Sequence, residues 1–348
     1  VNQSLARILT AVVVIFFAIF FIYPAVMVLG EAFYTKETGF TLAFVGEIFS
    51  NPLYLEGLWN AFALGICSTA ASLALAFPLA LVAHRYLFPG KTILGALVLI
   101  PLVLPPFVGA VGVKQILGVQ GSLNAFLIDL GIMSAQAPYD WLGESRFLGI
   151  VIMNALHLYP ILYMNVAAAL AHLDPAMEEA AENLGAGPWK RLWRITLPLC
   201  TPGIFAGGAI VFIWSFTELG VPLVFDYTRV APVQVFDGIK DLGNNPFPYA
   251  LVAIMLLVSS VVFIASKKLL GKSNLGKAPR PKGRSAEKPI TGWKGWACSG
   301  LFVFVFLIAS IPHLGVIFSS LAGDWYATVL PERFTLEHYE EALGHPLV

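Results

Sequence analysis

The chain has 348 residues, 58% hydrophobic and 12% charged, with 21 basic and 21 acidic side chains. Its mean hydropathy is +0.78; soluble domains run at about 45–50% apolar and about 25% charged residues, so a soluble or disordered chain is excluded. The zero net charge carries no basic signature for nucleic acid, and apolar runs that do not alternate exclude an outer-membrane barrel, leaving an all-α polytopic membrane protein.

About 20 mostly apolar residues cross a bilayer. The first such run covers residues 5–29 and ends Phe20-Phe21-Ile22-Tyr23-Pro24 without a small-residue cleavage site. It reads as a retained membrane helix, residues 1–30, not a cleaved signal. Further spans are expected at about 58–82, 92–117, 147–170, 199–221, 249–266 and 296–318. Residues 58–268 form the core and 269–294 a basic linker rich in Lys, Gly and Pro, without periodicity, expected to be a flexible connector. Of the 21 basic residues, all but Lys36, Lys114, Arg146, Arg229, Lys240 and Arg333 fall on one set of alternate loops. That asymmetry places the N-terminus in the cytoplasm. Trp293, Trp296 and Trp325 read as interfacial anchors.

Within the spans, polar and helix-breaking residues draw attention. Pro101, Pro105 and Pro106 with Gly109 and Gly112 interrupt the third, as a static bend or a gate. Asn154 and His157 share a face of the fourth, and Tyr163 and Asn165 follow them. Such groups either hydrogen-bond neighbouring helices, the commoner role, or line a polar pathway. Glu218, near the end of the fifth, is either a pathway acid or an interfacial carboxylate. No second His or carboxylate stands at ligand spacing, so no metal site is expected. Nor does any nucleophile–base pair mark a catalytic residue. Cys67, Cys200 and Cys298 are far apart and read as small packing residues. Gly90-Lys91-Thr92 looks like the end of a nucleotide-binding loop, but Arg85 stands where its first glycine belongs. ATP is therefore not expected on this chain.

The two ends of the chain repeat each other. Phe40-Thr41-Leu42, Glu47 and Pro52-Leu53 recur as Phe334-Thr335-Leu336, Glu341 and Pro346-Leu347, at a constant spacing of 294 residues. Residues 295–348 thus read as the start of a second copy, incomplete at Val348, and the chain as a fragment or truncated form of a tandem-repeat protein.

The loop after the fourth span has the most specific chemistry. Asp174 can cap a helix begun by Pro175, and Glu178, Glu179 and Glu182 suit its dipole. Gly185 can end that helix and Pro188 begin another, with Pro198 marking re-entry to the membrane. Glu179-Ala180-Ala181, then Gly185, then Ile195 and Leu197-Pro198, resembles the EAA loop of binding-protein-dependent ABC importer permeases, spanning residues 174–198. Gly118, Gly121 and Asn124 resemble a G-x-x-G-x-x-N pattern of the tandem ferric-iron permeases.

The resemblance implies a six-helix type I permease half plus the first helix of a second repeat. It implies that Glu179, Ala180, Ala181, Gly185, Ile195, Leu197 and Pro198 couple to a cytoplasmic ABC ATPase dimer, which binds the ATP. It further implies a periplasmic solute-binding protein, a second permease half or second copy, and a bacterial inner membrane. Ferric iron is the expected cargo, with phosphonate, thiamine or another small solute as alternatives. An ion-coupled secondary transporter using Glu218 and His157 is a distant alternative that leaves the EAA match unexplained.

Overall fold

A computed structural model describes residues 3–35, 39–143, 146–240, 246–271 and 287–344. Helices α1 (Gln3–Phe17) and α2 (Tyr23–Phe33) join through a π turn, Ala18–Ile22, into one apolar span. A short hairpin, β1 (Tyr34–Thr35) and β2 (Gly39–Phe40), leads to α3 (Ala43–Ser50) and the long α4 (Pro52–Arg85). Strand β3 (Tyr86–Leu87), α5 (Lys91–Leu97), α6 (Pro106–Leu117) and α7 (Ser122–Asp129) follow. Next come α8 (Phe147–Ala171), α9 (Pro175–Asn183), α10 (Pro188–Arg191) and α11 (Leu197–Phe216). The chain closes with α12 (Gly220–Val224), α13 (Ala231–Lys240), α14 (Phe247–Gly271), β4 (Lys288–Pro289), α15 (Trp293–Leu321) and α16 (Glu337–Gly344). Among the described residues six helices are long and apolar enough to cross a membrane, and a bent pair makes up to seven.

Two local outcomes differ from the sequence expectation, and one follows it. The third span is interrupted as its prolines predict: Lys91–Leu102 and Pro106–Asp129 meet at 92°. Pro105 and Pro106 both lack an N–H, so the helix has no donors to continue across them. The fifth span starts earlier than 199, because α10 runs through a π turn, Leu192–Thr196, straight into α11. Pro198 therefore lies inside a continuous helix, where the widened π turn accommodates a ring that would crowd the carbonyl of Arg194. Residues 272–286 of the basic linker lie outside the described residues, but its end is not a free connector: β4 pairs in parallel with β3.

The described chain forms two compact units, Val1–Ala61 with Thr228–Val261, and Phe62–Tyr227 with Val262–Val348. In the first, the Phe247 ring lies 5.9 Å edge-on from Phe44 and 5.6 Å stacked on Tyr54. Arg229 pairs with Glu56 at 3.2 Å, and Asn60 donates to the Arg229 carbonyl at 2.7 Å. The span Gln3–Phe33 keeps its apolar side chains on the surface.

The second unit is built on two close helix crossings. A β-carbon at Gly203 of α11 would sit 2.5 Å from the Asn165 carbonyl of α8, and one at Gly207 3.1 Å from Leu162. The glycines four apart let the two backbones approach, as small residues do between membrane helices. Around them Leu158, Tyr159, Leu162, Val211 and Phe302 pack into a buried core. The second crossing joins α6 to α15. A β-carbon at Gly112 would lie 2.4 Å from the Pro312 carbonyl, and one at Gly315 2.4 Å from the Gly112 carbonyl.

The repeat seen in the sequence recurs in hydrogen bonding. Thr41 N–H donates to the Phe33 carbonyl and Thr335 N–H to the Leu321 carbonyl, both at 2.8 Å. The Thr41 hydroxyl accepts from Ala43 N–H and the Thr335 hydroxyl from Glu337 N–H, both at 3.1 Å, opening α3 and α16. Each copy is thus a span, a reversal and a short helix entered through a threonine turn, in which the hydroxyl accepts from the N–H two residues on. Pro346 and Leu347 of the second copy lie outside the described residues.

Candidate functional site

Helices α9 and α10 form a helix–turn–helix between α8 and α11. The Asp174 carboxylate accepts from Ala176 N–H at 3.0 Å and caps α9, with Pro175 as its first residue. Gly185 adopts φ +80°, and the turn closes with Ala186 N–H on the Ala181 carbonyl and Gly185 N–H on the Glu182 carbonyl, both at 2.9 Å. This is a Schellman stop, which needs a left-handed residue at that position. Arg191 of α10 bonds Glu182 of α9, so the two helices are braced across the turn. Glu179, Ala180, Gly185 and Pro198 are exposed, while Ala181, Ile195 and Leu197 are half-buried. The same surface presents Leu184 at 88% exposure, with Met177, and the Trp189 and Trp193 rings edge to face at 5.9 Å. Exposed apolar side chains grouped on a charged loop mark an interaction surface.

The base of α9 is anchored to α4. Arg85 reaches Glu178 at 2.6 Å and the Thr196 hydroxyl at 3.1 Å, and that hydroxyl donates to Glu178 at 2.5 Å. Burial pushes the Glu178 carboxyl up, but the Thr196 and Arg85 bonds outweigh it and hold it below the ordinary 4.5. A depressed carboxylate favours the bonded state above its ordinary pKa and loses that contribution as pH falls through the lowered value. The protection of amides 175–183, each rate taken relative to its intrinsic rate at that pH, should therefore hold from neutral pH to near 4.5 and fall only below it. Protection already lost between pH 7 and 6 would contradict this.

The polar residues of the spans fall at separate places. His157 Nδ1 donates to the Pro101 carbonyl at 2.8 Å. That carbonyl lacks a helical partner because Pro105, four residues on, has no N–H. His157 thus satisfies the break in the bent span. Its ring also meets Trp214 edge-on at 6.0 Å. Asn154 points elsewhere, with its amide 3.5 Å from the Ser68 hydroxyl of α4. Glu218 turns one oxygen onto Gly220 N–H (2.9 Å) and Val221 N–H (3.2 Å), tying the end of α11 to α12. With Ile210, Ile213, Trp214, Thr217 and Phe263 it lines an open groove of about 480 Å³. Trp214 meets the His157 ring and also lines the Glu218 groove, while Asn154 bonds to α4. Among the described residues no group of three or more His, Cys, Asp or Glu is placed to hold a metal.

At the other end of α6, Asn124 knots a loop. Its amide donates to the carbonyls of Val119 (2.9 Å) and Tyr139 (2.7 Å), and its carbonyl accepts from Trp141 Nε1 at 2.6 Å. A β-carbon at Gly121 would sit 2.5 Å from the Ile116 carbonyl and one at Gly118 2.4 Å from the Lys114 carbonyl. The two glycines bring Asn124 under the loop. Asn124→Ala leaves those partners unpaired at about 1–3 kcal/mol for each buried group. It should lower the thermal midpoint and open 130–143 to protease; unchanged cleavage there would refute the knot.

These features meet in one family. Residues 75–274 match the model of the binding-protein-dependent transport system inner membrane component. The chain belongs to that family. It is an ABC importer permease. It is 28% identical over 289 residues to the spermidine/putrescine transport system permease protein PotB of Haemophilus influenzae, covering 79% of this chain and 99% of that protein. It is 27% identical over 357 residues to the putative ferric transport system permease protein FbpB 1 of the same species, covering 99% of this chain but 53% of that protein. The chain therefore spans about half the length of that ferric relative. A bacterial ABC transporter involved in the import of the acidic polysaccharide alginate shares the fold, at 18% identity and a TM-score of 0.61 over 78% of this chain and 97% of that one.

In this permease the helix–turn–helix sits where the sequence placed it, but its supports were not foreseen. Arg85 is 93 residues from Glu178. In the sequence it figures as one of the basic charges that set orientation and as the residue that spoils the nucleotide-loop pattern. No local pattern pairs the two, and only their shared end of the molecule hints at it. The surface made by Leu184, Trp189 and Trp193 was not foreseen either. A polar end of a membrane helix beside an acidic loop, and tryptophans within a basic one, were the available signals.

Proposed function

We propose that this permease is the first half of a tandem importer in a bacterial inner membrane, with its N-terminus in the cytoplasm. Its α9–α10 levers dock on a cytoplasmic ABC ATPase dimer, which binds and hydrolyses ATP. A periplasmic solute-binding protein delivers the cargo, and a second permease half completes the pathway. The observation that carries this reading is the braced, exposed helix–turn–helix, continuous with α11 through the π turn Leu192–Thr196. A push on such a lever moves a whole membrane helix, and alternating access needs two discrete arrangements of packed helices.

Ferric iron is the proposed cargo. The support is the match to a ferric relative over 99% of this chain, which includes the linker and the start of the second copy. A polyamine is the second reading, supported by the relative that this chain covers to 99% of its length. Glu218 and Trp214 on one groove suit a cationic cargo in either case, because a carboxylate and an indole face both attract positive charge. Uptake of radioactive ferric iron into cells carrying the full system and its binding protein tests the choice. Iron uptake, unaffected by excess spermidine, is expected. Spermidine uptake without iron uptake would replace the cargo and keep the permease. Glu218→Gln should cut uptake at least about tenfold, the scale of losing one charge contact. Unchanged uptake would remove Glu218 from the pathway.

A further inference from the structure

We propose that Arg85 is a positioning residue for coupling: it fastens the lever helix α9 to α4 and, through the strap β3–β4, to α15, so that one lever drives both halves of the permease. The proposal rests on the reading that α9 docks an ATPase.

The connection can be followed residue by residue within one compact unit. Glu178, on the side of α9 away from exposed Glu179, is held by Arg85 at 2.6 Å and Thr196 at 2.5 Å. Thr196 is buried at the π turn that enters α11, so the cluster joins three elements: α4, α9 and the start of α11. The next two residues after Arg85 are β3. Tyr86 pairs with Lys288 and Leu87 with Pro289, and Ile290 N–H donates to the Leu87 carbonyl at 2.9 Å. Lys91 pairs with Glu287 at 2.9 Å, and the Ser299 hydroxyl donates to the Pro89 carbonyl at 2.7 Å. The loop 86–91 is therefore bound along both the end of the linker and the first turns of α15.

From there α15 reaches the other end of the unit. It crosses α6 at Gly112 and Gly315 with backbones in contact. Beyond the crossing, Gln115 donates to the Trp325 carbonyl at 2.5 Å, and Ala327 N–H to the Gln120 carbonyl at 3.1 Å. Helix α6 is also the part of its span that the 92° bend separates from α5. A displacement at α9 thus has a packed route to α6 that bypasses the bend. Close-packed elements transmit displacement because they do not compress. A partly buried ion pair with a third hydrogen bond also fixes direction, which a lone exposed pair does not.

The test uses the full permease with its ATPase, purified in detergent, with Mg-ATP and vanadate as the probe. Spin labels on a lever residue and on residue 326 report the lever and the far end of α15. In the parent, both labels should shift when vanadate traps the ATPase. Arg85→Ala should keep the ATPase bound and the lever shift, and lose most of the shift at 326. The swap of Arg85→Glu with Glu178→Arg should restore it, which ties the loss to the ion pair, and the retained ATPase binding and lever shift in Arg85→Ala separate positioning from misfolding. A full shift at 326 in Arg85→Ala overturns the proposal, and so does a swap that fails to restore it while the protein stays assembled. Failure of the parent to hold the ATPase would instead overturn the docking reading beneath it.

Discussion

Gly185→Asp is expected to abolish ATP-driven transport while leaving membrane insertion and the α8–α11 packing intact. At φ +80° an L side chain costs about 1–2 kcal/mol, although space is open around the position. The loss of function comes from two effects together. The Schellman turn that sets the angle between α9 and α10 is strained. A negative charge is also placed beside Leu184 on the exposed apolar surface, where docking would strip its water. Gly185→Asn separates them, because Asn tolerates the left-handed conformation and brings no charge. It should keep a substantial part of the transport rate. Measuring uptake and bound ATPase for both variants checks this. Full activity in Gly185→Asp would mean that the surface is not used.

Gly112→Val should produce the largest loss of stability. Its β-carbon would fall 2.4 Å from the Pro312 carbonyl and 2.7 Å from the Val316 amide, and neither backbone atom can turn aside. Overpacking typically costs about 1–3 kcal/mol, and a clash against backbone belongs at or above the top of that range. The expected result is separation of α15 from α6, read as a lower thermal midpoint and new protease cleavage at 322–336. Gly300→Ala on the partner helix α15 meets nothing within 4 Å and should leave both readouts at the parental level. Equal melting of the Gly112→Val protein and the parent would show that the crossing contributes little.

Elements governed by local chemistry were legible in the sequence. A capping Asp174, the Pro175 start and the left-handed Gly185 stop each act within a few residues, so α9 could be read directly. The apolar runs gave the spans for the same reason. Reading failed where backbone groups interact over distance. Pro105 and Pro106 announced a break, but neither its 92° size nor the His157 bond to the Pro101 carbonyl, made from a helix residue 56 positions on, can be read from them. Pro198 signalled a boundary, yet the π turn before it absorbed the proline. Asn154 and His157 lie three apart on one helix, but bond to α4 and to the bend respectively. Glu218 was recognisable as an acid in a span; its grip on Gly220 and Val221 was not. The Gly112–Gly315 crossing joins residues more than 200 apart, which no pattern within one helix can specify.

The proposed function stands on docking of an ATPase at the α9–α10 surface. The most direct measurement places a cysteine at Leu184, its most exposed apolar residue at 88%, in a background without Cys67, Cys200 and Cys298. Membranes carrying the full transporter, with a cysteine series across the surface of the ATPase subunit, are then oxidised with and without Mg-ATP. A disulfide is expected between residue 184 and one cleft of the ATPase, with a yield that changes on ATP binding, and none from a cysteine at Gly300. A transporter that still imports its solute but gives no cross-link from residue 184 in any nucleotide state would contradict it.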